Sequence, residues 1–391
     1  MDNSEILLGL PDYEITGIER EGKDIHIRAR YNGRVTCPRC DGQQLRIKDT
    51  YLRSVRHESW GTRHVYVDLK CHKWRCLGCH RYFRQRLPGI LPWQHATEAF
   101  RRQIFEQHWD GINRRRLGRR ENISPATVER YFQHFLRRSA AELKDAACPR
   151  ILGIDEHFFS RRHGYATTFC DLAKHKVYDV VLGRSEAALA SYLHKLKGKE
   201  NVPVVCMDLS PGYRALVAKN FPHAVIVTDR FHVIRLLSQQ FLAVWRRIDA
   251  VASKNRGLLS LMRRHAANLN LEQSAKLARY LEQHPALAIL YEFRERLCRL
   301  LLMRRQTAKA CRHLAPVLLN LIDQLRDSSF AELQSLGQTL YSWKEEVARM
   351  WRFTRNNGIT EGFHTKMEVL QRQAYGFRNF KNYRLRVVVM C

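Results

Sequence analysis

The sequence predicts a multidomain α/β protein with a β module that carries paired cysteines, a basic helical segment, and an α/β domain interrupted by an all-helical insertion. Three observations support this prediction. Apolar residues recur at every second position near the N-terminus, as in Asp24–Arg30 and His64–Leu69. From Arg150 onward, apolar runs of strand length alternate with helical patterns, and residues 233–350 have a helical pattern almost throughout. A length of 391 residues allows two or three domains.

The chain is strongly basic. It has 67 Lys and Arg against 38 Asp and Glu, which gives a formal net charge of +29 and a pI near 10.1. A charge of this size predicts a polyanionic partner, either nucleic acid or an anionic membrane surface. Hydrophobic residues make up 45% of the chain and aromatic residues 10%, so the sequence can bury cores and is not a disordered basic tail.

Apolar runs and cysteine usage predict a cytoplasmic protein without a membrane partner. The run Leu300–Met303 is bounded by arginines, far short of the roughly 18–20 residues that a membrane span requires. The segment Met1–Glu5 is acidic, whereas a secretory signal begins with positive charge. The cysteines number eleven, and several lie in apolar runs, which favours free thiols in a reducing compartment.

Two Cys-x-x-Cys pairs predict a structural zinc site in an N-terminal module over residues 1–92. The four expected ligands are Cys37, Cys40, Cys76 and Cys79. Four thiolates form the tetrahedral set that Zn²⁺ accepts in a closed site. The 35 residues between the pairs exceed the roughly 15–20 of the simplest pattern, so strands must fill the gap. Redox-active or merely buried thiols are the alternative, and the neighbours that can replace the fourth ligand are Cys71, His57, His72 and His80.

Residues 93–147 predict a helix-turn-helix DNA-binding domain. The stretch Arg81–Arg138 contains 13 arginines and five acids. A break at Asn122–Ile123 separates two helical patterns, and the second begins with Ser124 as N-cap and Pro125 at the first helical position. The residues expected to contact DNA are Arg114, Arg115, Arg116, Arg119, Arg120, Thr127, Arg130 and Gln133. A solvated basic hairpin that touches nothing is the alternative.

Two aspartates in the next segment are candidate catalytic residues. The pattern after Arg150 predicts the order βββαβαβ, with Asp155 at the end of the first strand and Asp208 after the fourth. Adjacent strands that end in aspartates bring two carboxylates within a few ångströms. Such charges repel unless cations lie between them, and oxygen ligands of this kind select Mg²⁺ or Mn²⁺. Each aspartate alone also fits a turn or an N-cap.

The helical segment that follows is predicted to be an insertion, because α/β sequence flanks it on both sides. Helix boundaries are predicted at His284–Pro285 and at Ala315–Pro316. A capping box from Ser329 to Glu332 is predicted to begin a later helix.

Several motifs occur in one order along the chain. They are the two cysteine pairs, Gly153–Glu156, Asp208–Tyr213, Asp229–Val233, Asn357–Gly362 and Tyr375–Phe380. With these motifs the chain resembles the ISL-three family of bacterial insertion-sequence transposases over nearly its whole length.

The resemblance implies an RNase H-like catalytic core in two parts, residues 148–232 and 351–391, which are separated by the all-α insertion over residues 233–350. It also implies a DDE triad of Asp155, Asp208 and Glu361 that holds Mg²⁺ or Mn²⁺. The 153 positions from Asp208 to Glu361 exceed what a compact DDE domain needs, and the insertion accounts for the excess. We interpret Asp229 and His232 as a site-shaping pair rather than as metal ligands. Asp229 can also cap the helix that begins near Phe231.

The complete prediction is a transposase with a zinc-binding β module, a helix-turn-helix, and an RNase H-like α/β catalytic domain interrupted by an all-α insertion. It binds insertion-sequence ends and uses the DDE triad for metal-dependent DNA strand cleavage and strand transfer. Its expected partner is double-stranded DNA, both terminal inverted repeats and target, at the bacterial nucleoid, and a homodimer or larger assembly is expected on paired ends. The alternatives are a DNA-binding regulator that has lost catalysis and a structure-specific nuclease without transposition.

Overall fold

A computed structural model describes residues 7–143, 146–353 and 358–391, with the backbone alone for residues 358–361. The chain divides into two units, Met1–Glu142 and Leu143–Cys391. Each unit combines a mixed β-sheet with helices, which confirms the predicted mixed α/β class. Within the described ranges, no helix is long and apolar enough to cross a membrane.

The N-terminal unit is built on a five-stranded sheet. Its strands are β1 (Tyr13–Glu21), β2 (Asp24–Tyr31), β3 (Leu45–Trp60), β4 (Arg63–Cys76) and β5 (Tyr82–Arg84). Their order is β1-β2-β4-β3, with β5 also paired to β4; β2 and β4 are parallel and the other pairs antiparallel. Alternate residues of β2 and β4 are buried, including Ile25, Ile27, Val65 and Val67. The two predicted alternating segments are therefore confirmed as strands with one buried face.

Three helices follow this sheet: α1 (Glu98–Trp109), α2 (Arg114–Glu121) and α3 (Pro125–Leu143). Asn122 adopts a left-handed conformation that ends α2. The Ser124 hydroxyl accepts a hydrogen bond from the Thr127 N–H at 3.1 Å, as predicted for an N-cap. A Cβ on Gly118 would lie 2.7 Å from the Ile123 carbonyl oxygen, so the close approach of α2 to the turn requires glycine. The predicted break between two helices is confirmed.

The C-terminal unit contains the second five-stranded sheet. Its strands are β6 (Ile151–Ser160), β7 (Gly164–Asp171), β8 (Lys176–Leu182), β9 (Val204–Met207) and β10 (Val225–Thr228), joined in part by α4 (Glu186–Lys195) and α5 (Pro211–Asn220). The predicted order βββαβαβ is confirmed. The spatial order is β10-β9-β6-β7-β8, with parallel pairing among β10, β9 and β6 and antiparallel pairing among β6, β7 and β8.

The predicted insertion, residues 233–350, is helical almost throughout, as predicted. Its helices are α6 (Arg230–Ile248), α7 (Arg256–Arg263), α8 (Leu271–Glu282), α9 (Pro285–Leu302), α10 (Ala308–Arg326), α11 (Ala331–Ser342) and α12 (Lys344–Arg349). Pro285 begins α9 as predicted, but Pro316 lies inside α10. Burial of the apolar face that follows Pro316, including Leu318 and Leu321, holds α10 together across the missing N–H. The predicted capping box at Ser329 was wrong, because Phe330 is the N-cap and makes no side-chain cap.

Helices cover both faces of the second sheet. Two last helices, α13 (Gly358–Gln373) and α14 (Phe380–Met390), pack on one face through residues such as Phe363 and Tyr383. Helices α4 to α6 and the insertion pack on the other face, where Leu152, Ile154 and Val205 are buried. Side chains that alternate along β6 therefore enter two different cores.

Arg230 joins three points of the insertion. Its buried guanidinium donates hydrogen bonds to the carbonyl oxygens of Leu301 at 3.0 Å, Met303 at 3.1 Å and Met350 at 2.6 Å. Two lobes of the helical segment, residues 230–301 and 303–350, consequently each begin and end at the first residue of α6.

Candidate functional site

The four predicted zinc ligands lie together in the N-terminal unit. The Sγ atoms of Cys37 and Cys79 are 3.5 Å apart, and those of Cys40 and Cys76 are 3.6 Å apart. In a tetrahedral site with bonds of about 2.3 Å, thiolate sulfurs lie about 3.8 Å from one another. The residues present therefore fit a Zn²⁺ ion.

Two tight turns at the end of the β3–β4 hairpin position these thiols. The Asp41 N–H donates to the Cys37 carbonyl at 2.9 Å, and the Cys76 N–H donates to the Arg81 carbonyl at 2.9 Å. Backbone N–H groups at Cys79 and Gly78 lower the pKa of Cys76, against the opposing effect of burial. The second turn thus favours the thiolate of Cys76, which is the form that binds metal.

The neighbouring residues considered as substitutes do not join this group of four. Cys71 is buried on β4, and burial raises the pKa of its thiol. His57 is hydrogen-bonded to Thr97 at 2.9 Å, and His72 to Thr50 at 3.0 Å. His80 is exposed.

A second group with metal-binding side chains lies in the C-terminal unit. Ligand atoms of Asp155, Asp208 and His232 all lie within 4.8 Å of one another. We call these three residues the acid cluster. They come from the middle of β6, the residue after β9 and the first turn of α6.

The parallel strands bring the acid cluster together. Ile154 on β6 pairs with Met207 at the end of β9, so the next residues on each strand are Asp155 and Asp208. The prediction that Asp155 ends its strand was wrong, because β6 continues to Ser160 through its pairing with β7. The carboxyl ends of parallel strands meet at one edge of a sheet, which is where a binding crevice forms in α/β folds.

Asp229 connects this edge to α6. Its N–H donates to the Met207 carbonyl at 2.6 Å. One carboxylate oxygen accepts from the Phe231 N–H at 3.2 Å, which confirms Asp229 as the helix cap, and the other lies 3.4 Å from His232 Nδ1. The cap therefore also holds His232 beside the two other members of the acid cluster.

Burial and mutual repulsion act on the two carboxylates. Burial, followed by the charges of Asp208 and Asp229, raises the pKa of Asp155 to about 8. Burial also raises the pKa of Asp208, and His232 opposes this shift. In the part of the chain that the structure describes, Asp208 Oδ1 and His232 Nδ1 are buried atoms without a hydrogen-bond partner. A divalent cation would neutralise the carboxylates and bind the unpaired Asp208 oxygen, so the donor set fits one.

A chain of polar side chains extends from Asp155 and was not predicted from the sequence. His364 Nδ1 on α13 lies 3.8 Å from Asp155, and its Nε2 lies 3.5 Å from the Thr168 hydroxyl. That hydroxyl is hydrogen-bonded to His157, whose Nε2 is 2.8 Å from the Tyr383 hydroxyl. Burial lowers the pKa of His364 to about 4 and that of His157 to about 3, and a neighbouring histidine adds to each shift. Both imidazoles are therefore neutral at pH 7.

One sequence signal could have identified His364. It follows Glu361 by three positions, the same spacing that separates Asp229 from His232. The backbone of Glu361 belongs to α13, and its side chain lies outside the described residues. Its assignment to the triad stays a prediction.

The predicted DNA-contacting side chains lie on α2 and α3. Arg115, Arg116 and Arg119 are exposed and form no ion pair with any described residue. Arg114 is paired with Glu129 at 3.0 Å, and Gln133 donates to the same carboxylate group at 2.8 Å. Arg120 is paired with Glu121 at 3.0 Å, and Arg130 lies 3.4 Å from the Thr127 hydroxyl.

A mixed α/β sheet that brings the side chains of Asp155 and Asp208 together defines a class of α/β proteins with a candidate metal site, and comparison with known families narrows that class. Residues 152–387 match the model of the ISL-three (ISL3) DDE transposases, which is described as "Transposase". The chain therefore belongs to this transposase family, as its resemblance predicted. It is also 23% identical to the transposase for insertion sequence element IS1001 of Bordetella parapertussis, over 99% of this chain and 98% of that relative.

Proposed function

We propose that this transposase binds the ends of an insertion sequence and catalyses metal-dependent DNA strand cleavage and strand transfer. The observation that carries the proposal is the convergence of Asp155, Asp208 and His232 at the carboxyl edge of the parallel strands. The five-stranded mixed sheet with helices on both faces supports an RNase H-like core. The short turn between α2 and α3 supports a helix-turn-helix.

Asp155 and Asp208, with Glu361 as the proposed third carboxylate, would hold Mg²⁺ or Mn²⁺. The chemistry that such ions supply when bound is a lower pKa for an attacking water and stabilisation of charge on the leaving oxygen. Glu361 precedes His364 by one turn of α13, and His364 lies 3.8 Å from Asp155, which supports delivery of α13 to this edge.

The protein side chains prepare this site in three ways. Burial of Asp155 limits water around the carboxylates and strengthens their electrostatic interactions. The low pKa of His364 keeps its imidazole neutral, so it contacts Asp155 without competing with a cation for the negative charge. Asp229 fixes the first turn of α6 and with it the position of His232, which is the site-shaping role proposed for this pair.

The proposed reaction has two chemically similar steps. In cleavage, a water oxygen attacks phosphorus at the element end, and the P–O3′ bond breaks to release a 3′-OH. In strand transfer, that 3′-OH attacks a phosphodiester of the target DNA, so that one P–O bond forms as another breaks. The number of phosphodiester bonds is conserved in the second step, and no external energy source is needed.

DNA recognition is proposed for the N-terminal unit. The exposed arginines of α2 supply charge for phosphate contacts, and Thr127, Arg130 and Gln133 on α3 are proposed to read bases in the major groove. A structural Zn²⁺ on Cys37, Cys40, Cys76 and Cys79 would stabilise the sheet that precedes these helices. We infer a dimer or larger assembly when two ends are paired.

The proposal is tested with a labelled DNA fragment that carries the element end. Wild-type protein with Mg²⁺ or Mn²⁺ should nick this fragment and join it to a target plasmid, whereas Asp208→Asn should bind the fragment without cutting it. Wild-type protein that binds the end but cleaves nothing with either metal would instead support the regulator alternative. Cleavage that never proceeds to joining would support the nuclease alternative.

A further inference from the structure

A basic groove with exposed aromatic rings lies in the N-terminal unit; its lining includes Pro38 and Asp41 at the first cysteine turn but no residue of α2 or α3. It has a volume of about 1270 Å³, and its lining includes Tyr51, Arg53, Lys73, Arg84, Arg86 and Trp93. We call it the Trp93 groove. Strands β3, β4 and β5 form its floor, and the segment over residues 85–95 forms one wall.

Trp93 is held in an exposed and strained conformation. Its side chain is 76% exposed, and its backbone φ of +65° lies in the left-handed region that bulky residues rarely adopt. Arg53 on β3 fixes the surrounding segment, because its guanidinium donates to the carbonyl oxygens of Leu91, at 3.0 Å, and Gln94. An exposed aromatic ring held on a strained backbone within a fixed segment is a feature typical of ligand-binding sites.

Arg84 links the aromatic rings of the groove. Its guanidinium carbon lies 4.5 Å from the centroid of the Trp93 ring and 5.7 Å from that of Tyr51. One face of the indole is therefore covered by a cation, while most of the Trp93 surface stays exposed. An incoming planar group can stack on the ring beside this positive charge.

The charge of the groove selects an anionic ligand. Arg34, Lys73, Arg84 and Arg86 line it with exposed side chains, and none of them forms an ion pair with a described residue. The acidic residue in the lining is Asp41. An apolar peptide would leave these cations unused, whereas a phosphodiester backbone would neutralise them.

We propose that the Trp93 groove binds a single-stranded segment of nucleic acid and stacks one unpaired base on the indole of Trp93. This inference rests on the proposed function, because the strand would belong to the DNA that the transposase holds. A cationic groove that follows the backbone, together with aromatic rings for the bases, is the general arrangement for binding single strands. A fully paired duplex offers its bases to such a ring only at an end or where a pair has opened.

Binding of two DNA probes by the full-length, zinc-loaded protein tests the inference. One probe is a blunt duplex, and the other is the same duplex with a short single-stranded tail that contains 2-aminopurine. The wild type should bind the tailed probe roughly tenfold more tightly, which corresponds to about 1.4 kcal/mol for one stacked base, and should quench the 2-aminopurine fluorescence.

Two substitutions separate stacking from folding. Trp93→Gly removes the ring and also relieves the positive φ, so the variant should keep its zinc and melt no lower than the wild type. It should lose the quenching and the preference for the tail, about tenfold, with blunt-duplex binding unchanged. Trp93→Phe should restore part of both. Leu52→Ala is the matched control, since Leu52 is 84% exposed on β3 outside the groove lining.

The outcomes distinguish this inference from the function on which it rests. A Trp93→Gly variant that still prefers the tail and quenches 2-aminopurine would overturn the stacking site alone, and so would an equal weakening of binding to both probes. A wild-type protein that binds neither probe would contradict the proposed DNA role, and the groove inference would fail with it. Normal binding of blunt duplex with an unquenched tail leaves the proposed function standing and rejects the groove.

Discussion

The cysteine group and the acid cluster both bring together side chains of metal-binding types, but the chain assembles them in different ways. Cys37, Cys40, Cys76 and Cys79 come in two local pairs at one end of a hairpin. Asp155, Asp208 and His232 come from three separate elements and meet only because β6, β9 and β10 are adjacent and parallel. A metal bound to a local group can therefore stabilise the folding of its own unit. A non-local group, in contrast, can bind a metal only after the unit has folded.

The pKa shifts of the two groups also differ. Backbone N–H groups in the cysteine turns lower the pKa of Cys76, which helps the thiolate form. Burial and neighbouring carboxylates raise the pKa of Asp155, so the acid cluster is costly to ionise until a cation arrives. We therefore expect loss of the first metal to unfold its unit and loss of the second to stop chemistry in a unit that stays folded.

The largest effect is expected from the cysteine group. Cys76→Ser should lose the zinc ion and unfold the first sheet, because structural zinc contributes on the order of 10 kcal/mol of apparent binding free energy. Elemental analysis and thermal melting measure this. Cys71→Ser is the matched control, since Cys71 is buried on the same strand outside the group of four, and it should keep its zinc. Zinc retained in Cys76→Ser would contradict the four-cysteine site.

The next effect concerns Glu361. Glu361→Gln should reduce the rate of strand cleavage on the order of 10³-fold, because it removes one charge from a site that must hold divalent cations, at 1.36 kcal/mol for each factor of ten. Melting temperature, zinc content and end binding should stay at the wild-type values. Glu368→Gln on the same helix is the control, because Glu368 is exposed and paired with Arg372. If Glu368→Gln lost cleavage and Glu361→Gln kept it, the triad assignment would move to Glu368.

A smaller effect is expected on how the free energy of unfolding depends on pH. The pKa of Asp155 is about 8 in the folded protein, against about 4 in an unfolded chain, so the native state binds the extra proton between these pH values. Stability without metal should therefore fall as pH rises from about 4 to about 8. Asp155→Asn should be more stable than the wild type at pH 8, on the order of a few kcal/mol, and the difference should vanish near pH 4.

Thermal melting over this pH range, in the presence of a chelator, checks the prediction. Asp323→Asn, an exposed acid in the insertion, should follow the wild-type curve. Adding Mn²⁺ should stabilise the wild type more at pH 8 than at pH 5, because the ligands bind as carboxylates. If the wild type gained stability relative to Asp155→Asn as pH rises, the folded protein would not raise the pKa of Asp155.

The smallest effect tests whether binding and chemistry belong to different units. Arg115→Gln with Arg116→Gln should flatten the salt dependence of DNA binding, by about 0.9 in log–log slope for each phosphate that the protein no longer neutralises. Arg114→Gln should change the slope less, since Glu129 already pairs with Arg114. Thr127→Ala and Gln133→Ala should alter sequence preference at an unchanged slope. Filter binding over a salt series measures both. If the slope of the arginine variant equalled that of the wild type, Arg115 and Arg116 would not contact DNA phosphates.

The sequence predicted the local features well and the tertiary ones unevenly. Paired cysteines and the Ser124 cap depend on neighbouring residues, and the structure places both as the pattern indicates. The length of β6 depends on pairing with β7, which the apolar pattern around Asp155 does not contain. The contact of His364 with Asp155 joins residues 209 positions apart, and only the packing of α13 on the sheet creates it. Pro316 lies inside a helix because buried contacts outweigh a local helix-breaking preference.

Because of the hydrogen bonds to the Arg230 guanidinium, the insertion forms two closed loops rather than one long loop. The chain returns to this residue at Leu301–Met303 and again at Met350, so each lobe begins and ends at the same place. Doubling the length of a closed loop costs only about 0.6 kcal/mol in closure entropy. Either lobe can therefore grow or shrink at little energetic cost while Asp229, the residue before Arg230, keeps its position. Among related chains, we therefore expect the number of residues between Asp208 and Glu361 to vary more than other spacings in the sequence.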